Sequence, residues 1–323
     1  MKVHHINVGQ GEATLLEFKT AAVLIDAGSF NGTTARTHLF EYLDRFFDSH
    51  PALNRTFYSL IVTHPHFDHT RFITEVMNRY RVRNFVDNGD TGSGGGFNQI
   101  NEVREFIRRR NEEQPNSIIY NKVDAEDIDS DGYTTQWFRD LQNSASQAEI
   151  IFLNASTNCD SPNNDSLVVR IRYKQRTILI TGDAEWEPDS RCTPAIPRML
   201  QRFASGSLMD IDVYKVGHHG SRNGTNEAYL NEMTPRIAVI SAGFHTDNNA
   251  NEFGHPRKSV IDQILSVNSL TSRPPKQAYG MSGANGNPIS LTMTKAIYCT
   301  CWDGDIVVPI NSAGQLRPVQ TSN

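Results

Sequence analysis

Apolar residues fall along this chain in short blocks of two periods, and several blocks end on loops rich in histidine or aspartate. Residues 3–18 alternate and are cut by Gly9-Gln10-Gly11, which predicts a hairpin. Val23-Leu24-Ile25 reads as a short buried strand ending in Asp26-Ala27-Gly28. Leu39, Phe40, Leu43, Phe46 and Phe47 keep a helical period over 34–47. Leu60-Ile61-Val62 is the next strand, followed by a helix over 70–81 and a strand at Phe85-Val86-Asp87. The glycine-rich stretch 89–96 predicts a mobile loop covering a site; no Gly-Lys-Ser/Thr follows, so it is not a phosphate-cradling loop. Residues 101–110 read as a helix whose basic end is a solvated face.

Farther along, 124–164 is polar with short strands, notably Ile150-Ile151-Phe152-Leu153. Residues 167–173 and 177–181 predict a hairpin running into Gly182-Asp183. A helix over 194–204 precedes the strand 211–216, which delivers Gly217-His218-His219-Gly220-Ser221. A strand over 237–241 leads to Gly254-His255-Pro256 and a helix over 258–267, and 289–298 and 305–310 are closing strands. Strands and helices alternate irregularly without repeat or linker, so one α/β domain over 1–323 is expected.

Composition narrows the partners. A net charge of −5 gives no overall attraction to nucleic acid, so any phosphate-binding surface must be local. Four cysteines, at 159, 192, 299 and 301, form no CxxC pair, which argues against a structural zinc module or a disulfide framework. Cys299 and Cys301 are expected to pack on one face of a strand. No signal-peptide pattern opens the sequence and no apolar run reaches membrane length, so a soluble cytoplasmic protein is expected.

The densest chemistry is Thr63-His64-Pro65-His66-Phe67-Asp68-His69, at the end of a buried strand. Imidazole and carboxylate together suit a divalent ion, zinc or, where oxygen dominates, manganese. His64 and His66 could hold one ion, Asp68 and His69 a second, and Asp183 could bridge them, with Asp26 bracing the loop from outside. Strand ends converging on one sheet edge are a normal way to assemble such a site from distant residues.

These residues carry a resemblance. The chain resembles the metallo-β-lactamase superfamily, and within it the soluble hydrolase domain of ComEC-type proteins. The HxHxDH signature stands at 64–69; Val8-Gly9-Gln10-Gly11-Glu12, Ile25-Asp26-Ala27-Gly28, Thr181-Gly182-Asp183-Ala184-Glu185, the His218-His219-Gly220-Ser221 stretch and Gly254-His255-Pro256 follow in order. The resemblance implies a four-layer αββα sandwich and metal ligands at His64, His66, Asp68, His69, Asp183 and one of His218 and His219. Where many members supply a further histidine, Asn163-Asn164-Asp165-Ser166 stands, which leaves the first ion one nitrogen short. The membrane channel that accompanies the ComEC domain has no counterpart, so DNA uptake is not implied.

The implied cofactor is two divalent ions, zinc or manganese, which would activate water and stabilise charge on phosphorus. Asp68, His219 and His255 are the catalytic candidates, with His255 or the free histidine of the 218/219 pair assisting the leaving oxygen. Asn163 and Ser166 are expected behind the ligands, and Lys215, Ser221 and Arg222 against phosphate oxygens. The leading expectation is a phosphodiesterase, a nuclease acting on DNA. The alternatives are a hydrolase of a small phosphodiester, such as a cyclic nucleotide or phosphocholine ester, and a non-catalytic metal-binding module that recruits nucleic acid or protein.

Overall fold

In the computed structural model, which describes residues 1–157, 161–187, 193–204, 206–246 and 252–323, the chain opens with the expected hairpin, β1 (Lys2–His5) and β2 (Thr14–Glu17). β3 (Ala22–Ile25), helix α1 (Gly32–Ser49) and β4 (Thr56–Ile61) follow. The histidine cluster leads into two short helices, α2 (Phe67–Thr70) and α3 (Ile73–Arg79), and then β5 (Arg81–Asp87), α4 (Gly95–Glu113), β6 (Ile119–Lys122) and α5 (Gln136–Asn143). The second half runs through β7 (Ala148–Asn154), β8 (Val168–Tyr173), β9 (Arg176–Ile180), α6 (Ala195–Phe203), β10 (Val213–Lys215), α7 (Glu227–Met233), β11 (Ile237–Ile240) and α8 (Lys258–Leu265). β12 (Ser272–Met281) and β13 (Pro288–Lys295) form a separate two-stranded sheet, and β14 (Ile297–Cys299), α9 (Thr300–Asp303), β15 (Ile306–Pro309) and β16 (Gln320–Thr321) close the chain.

The strands form two sheets, ordered β16-β15-β1-β2-β3-β4-β5-β6 and β14-β11-β10-β9-β8-β7. Strand alternation explains the layering. On β3, Val23 and Ile25 join a core shared with Ile150, Val169, Leu179 and Val213 of the other sheet, while Ala22 and Leu24 face Leu39, Leu43, Val76 and Val103 of the covering helices. The outer face of the second sheet is covered by α6, α7 and α8, which bury Met199, Leu230 and Ile261. This is the αββα sandwich.

β3 through β6 run parallel, as do β9, β10, β11 and β14, so loops carrying metal-capable side chains leave the same ends of both sheets. Among the described residues, no helix is long and apolar enough to cross a membrane.

Three local expectations change. The helix expected over 70–81 is split, because the Phe72 amide turns aside to donate to the Ala27 carbonyl (2.8 Å) and ties the loop after β3 to the metal-capable loop. The glycine run is no free lid: α4 begins at Gly95, and a Cβ on Gly96 would sit 2.4 Å from the Pro65 carbonyl oxygen. Cys301 lies in α9 rather than on a strand, and its sulfur is bonded to that of Cys299. Cys159 and Cys192 lie outside the described residues.

Candidate metal centre

Three loops bring their ligand-capable residues together. The loop after β4 supplies His64, His66, Asp68 and His69; Asp183 follows β9, and His218 and His219 follow β10. One ligand-capable atom each from Asp68, His69, Asp183 and His219 lies within 4.8 Å of the others, and so does one each from His64, His66 and Asp183. Asp183 belongs to both groups, so two half-sites meet at one carboxylate.

Hydrogen bonding fixes which ring nitrogens face the centre. His69 Nδ1 lies 2.7 Å from Asp26 Oδ2, and His219 Nδ1 lies 2.8 Å from the Ser241 carbonyl oxygen. Both partners accept only, so both Nδ1 atoms carry the proton and the two Nε2 lone pairs meet at 3.2 Å. Asp183 Oδ1 stands 3.2 Å from His69 Nε2, and Asp68 Oδ2 stands 3.2 Å from His219 Nε2. Four buried electron-rich atoms facing one another need a proton or a metal cation between them. Donor atoms about 2.1 Å from a tetrahedral ion lie roughly 3.4 Å apart, close to the spacing here.

The other half-site is also unsatisfied: His64 Nε2 is buried and forms no hydrogen bond. Asp183 Oδ2 is 3.7 Å from His64 Nε2 and 3.8 Å from His218 Nε2. His218 Nδ1 is turned away to Asn223 Oδ1 (3.0 Å) and Glu185 Oε1 (3.2 Å). Asn223 donates its amide to the same Glu185 oxygen (2.7 Å), which leaves Asn223 Oδ1 as acceptor and the proton on His218 Nδ1. His218 therefore turns its Nε2 toward Asp183 Oδ2, beside the His64–His66 half-site. The donor set as a whole fits two divalent ions.

Electrostatics tie the same groups to one another. Burial pushes the Asp183 carboxyl up, but His69, His219 and His218 outweigh it and hold it well below the usual range. Burial would depress His69, yet Asp183 and Asp26 keep its imidazole well above its ordinary value. His64 goes the other way, driven well down by burial and by the neighbouring imidazoles.

The supporting residues divide clearly. Asp26 sits where sequence reading put a brace, accepting also from the Thr63 amide and hydroxyl (both 2.7 Å). Ser166 Oγ accepts from the Asp183 amide (3.1 Å), and Asn163 donates to Glu185 (2.7 Å), so both lie behind ligand-capable residues. Lys215 is not available to a phosphate: its ammonium is buried 2.6 Å from Glu12. Ser221 lies just past His219, its amide bonded to the His218 carbonyl (2.7 Å), and is absent from the walls of the cleft. Arg222 is exposed and paired with Glu187 (3.0 Å).

Four supporting residues were not anticipated: Gln10, Glu185, Asn223 and Ser241. Glu185 lies two residues past Asp183, which was the one signal in the sequence. Gln10 sets the proton of His255. Its Oε1 accepts from the Gly243 amide (3.2 Å), so its Nε2 faces His255 Nδ1 (3.3 Å), which must accept. The His255 proton is thereby on Nε2, and burial together with His218 and His219 drives its pKa well below the ordinary value. His255 is a neutral donor.

One glycine is indispensable to this geometry. A Cβ on Gly28 would lie 2.4 Å from the Asp68 carbonyl carbon and 2.5 Å from its oxygen, both backbone atoms. Gly28→Ala is expected to displace the Asp68–His69 loop and cut activity by about 100-fold, the scale of a 1 Å misplacement. Wild-type kcat/KM in that variant would contradict the packing.

A cleft of about 490 Å³ opens beside these residues, with Gln10, Asp68, Asp183 and His255 on one side and Phe30 and Phe253 on another. A family model described as the metallo-beta-lactamase superfamily matches residues 6–245. The chain is 33% identical over 110 residues to ComE operon protein 3 of Bacillus subtilis (strain 168), covering 34% of this chain and 12% of that protein. It is 33% identical over 102 residues to Recombination protein 2 of Haemophilus influenzae, covering 32% and 11%. The matches thus span about an eighth of the length of these curated relatives. Among solved structures, the metallo-beta-lactamase fold protein YhfI of Bacillus subtilis aligns with TM-score 0.45 at 12% identity, covering 90% of this chain and 98% of that one. Unliganded yeast PDE1 aligns with TM-score 0.46 at 9% identity, covering 84% and 96%.

Proposed function

The chain belongs to the metallo-beta-lactamase superfamily, and from that premise we propose that it is a metal-dependent phosphodiesterase, with DNA strands as its leading substrate. The observation that carries this reading is the convergence of His69 Nε2, His219 Nε2, Asp68 and Asp183, with the Nδ1 protons of the two imidazoles donated to Asp26 and to the Ser241 carbonyl. His64, His66, His218 and Asp183 would hold one ion; Asp68, His69, His219 and Asp183 would hold the other. When bound, the ions would supply Lewis acidity toward water and toward a phosphoryl oxygen. Competence- and recombination-named relatives favour a nucleic-acid substrate.

The protein's own residues supply orientation and proton placement. Asp26 and Ser241 hold His69 and His219 in the tautomer that leaves Nε2 free, and Glu185 does the same for His218. Ser166 steadies the Asp183 backbone. His255, protonated on Nε2 and neutral, would donate a hydrogen bond to a phosphoryl or leaving oxygen rather than act as a strong acid. The apolar walls beside it would keep water from the reacting atoms.

A second reading, hydrolysis of a small phosphodiester, is favoured by the cleft itself. Its volume of about 490 Å³ is that of a nucleotide-sized pocket, and none of the described residues lining it is Lys or Arg. The deciding experiment is a panel of bis-p-nitrophenyl phosphate, single-stranded DNA, duplex DNA and a cyclic dinucleotide, run with elemental analysis. Turnover that vanishes with chelator and returns with zinc or manganese is expected; a metal-loaded protein that cleaves none of them contradicts the proposal. His218→Ala is expected to lower the metal content toward one ion per chain, with a loss of about 10–100-fold in affinity for the weaker ion. Two ions at wild-type affinity in that variant would remove His218 from the first site.

A further inference from the structure

Two arms of the site hang from one buried residue, Ala242, in the loop after β11. On one side, the Ser241 carbonyl accepts from His219 Nδ1 (2.8 Å) and leaves the ring's Nε2 facing Asp68. On the other, the Gly243 amide donates to Gln10 Oε1 (3.2 Å), whose Nε2 faces His255 Nδ1 (3.3 Å). Between them, one hydroxyl holds both polar groups of Ala242. Thr300 Oγ1 accepts from the Ala242 amide (3.0 Å) and donates to the Ala242 carbonyl (2.9 Å). Thr300 is buried and begins α9 directly after β14, the strand that runs parallel to β11. Its turn is fixed from both sides. Cys299 and Cys301 are bonded to each other, and Asp303 accepts from the Cys299 amide (3.1 Å) while paired with Arg273 (2.7 Å).

Peptide geometry makes this hydroxyl a steering group. A trans peptide is flat, so the carbonyl on one side points opposite to the N–H on the other. The Ser241 carbonyl and the Ala242 N–H share one such trans plane, and the Ala242 carbonyl and the Gly243 N–H share the next. By gripping both groups of Ala242, Thr300 sets the direction in which Ser241 meets His219 and Gly243 meets Gln10. Valine has the shape of threonine without the hydroxyl, so it would withdraw both bonds from buried backbone groups. We propose that Thr300 is a positioning residue for the whole centre, aiming His219 at the ion shared with Asp68 and, through Gln10, the His255 N–H at the substrate. This rests on the metal-dependent phosphodiesterase reading and names the group that ties its ion to its proton donor.

The test titrates the metal-stripped full chain with zinc against a chromophoric chelator and reads the two ions separately. Thr300→Val is expected to bind one ion about tenfold more weakly than wild type, with the other unchanged. Thr300→Ser keeps the hydroxyl and should bind both ions as wild type does. At saturating zinc, Thr300→Val should also lose about tenfold in kcat on bis-p-nitrophenyl phosphate with KM nearly unchanged, since His255 then misses the leaving oxygen. Near-ultraviolet circular dichroism checks the fold, and Thr300→Ala, with less bulk, takes the place of a valine variant that does not fold. Wild-type affinity for both ions in a folded variant lacking the hydroxyl overturns the proposal. Equal weakening of both ions, the mark of a general loosening, overturns it too, as does a serine variant no better than the valine one. One ion weakened as expected, with no diester cleaved even by wild type, would sink the phosphodiesterase reading and leave Thr300 in its role. Diester cleavage by Thr300→Val with wild-type kcat and wild-type metal affinities would do the reverse.

Discussion

Asp183→Ala is expected to abolish phosphodiester hydrolysis, lowering kcat/KM by about 10³-fold or more, while the fold survives. Among the described residues this carboxylate alone stands in both half-sites, with Oδ1 3.2 Å from His69 and Oδ2 3.7 Å from His64. Its removal takes a ligand from each ion at once, so metal content should fall together with rate. Asp183→Asn separates charge from shape: it keeps the side-chain volume and should lose nearly as much activity. Assays on bis-p-nitrophenyl phosphate, with elemental analysis and near-ultraviolet circular dichroism, check all three points. Wild-type turnover in either variant would remove Asp183 from the reaction.

Lys215→Met is expected to destabilise the protein by about 3–5 kcal/mol, as when one partner of a buried ion pair is removed. Lys215 ends β10 in one sheet, and Glu12 lies in the turn before β2 of the other; both are about 1% exposed and only 2.6 Å apart. Glu12 also accepts from the Thr14 hydroxyl (2.7 Å), and Ser241, whose carbonyl orients His219, lies within 3.4 Å of it. The variant strands a carboxylate in the space between the sheets. Denaturant titration should show the loss, and Glu12→Leu combined with Lys215→Met should recover much of it, since an apolar pair needs no desolvated charge. Burial opposes ionisation of Glu12, but Lys215 outweighs it and holds the pKa below the ordinary value. The pair therefore stabilises the wild type above the usual glutamate range and ceases to as pH falls through the depressed pKa. Equal stability of wild type and Lys215→Met at neutral pH would refute the assignment.

Much of the sandwich was legible because its strands are short apolar runs with abrupt polar ends, and α1 keeps a clean period through Leu39, Leu43 and Phe47. β12 was not legible: Pro274 and Pro275 argue against a strand, and the pair tolerates them only through a register shift between Ser272 and Lys276 at an edge. The ligand-capable residues could be read from spacing after strand ends. What decides between His218 and His219 could not, because both stand in left-handed backbone at one turn and point to different half-sites. Lys215 looked like a phosphate contact because it borders the histidine loop; nothing local announces that its partner lies some two hundred residues earlier.

The HxHxDH loop leaves one sheet and Asp183, His218 and His219 leave the other, so ions held as proposed would rivet the sandwich shut along its open edge. Heat resistance and cation supply are then one thermodynamic quantity seen from two sides. A cell short of the cation would lose the molecule to proteases as well as lose its chemistry, since the unloaded form lacks the ties that the ions would make across the seam.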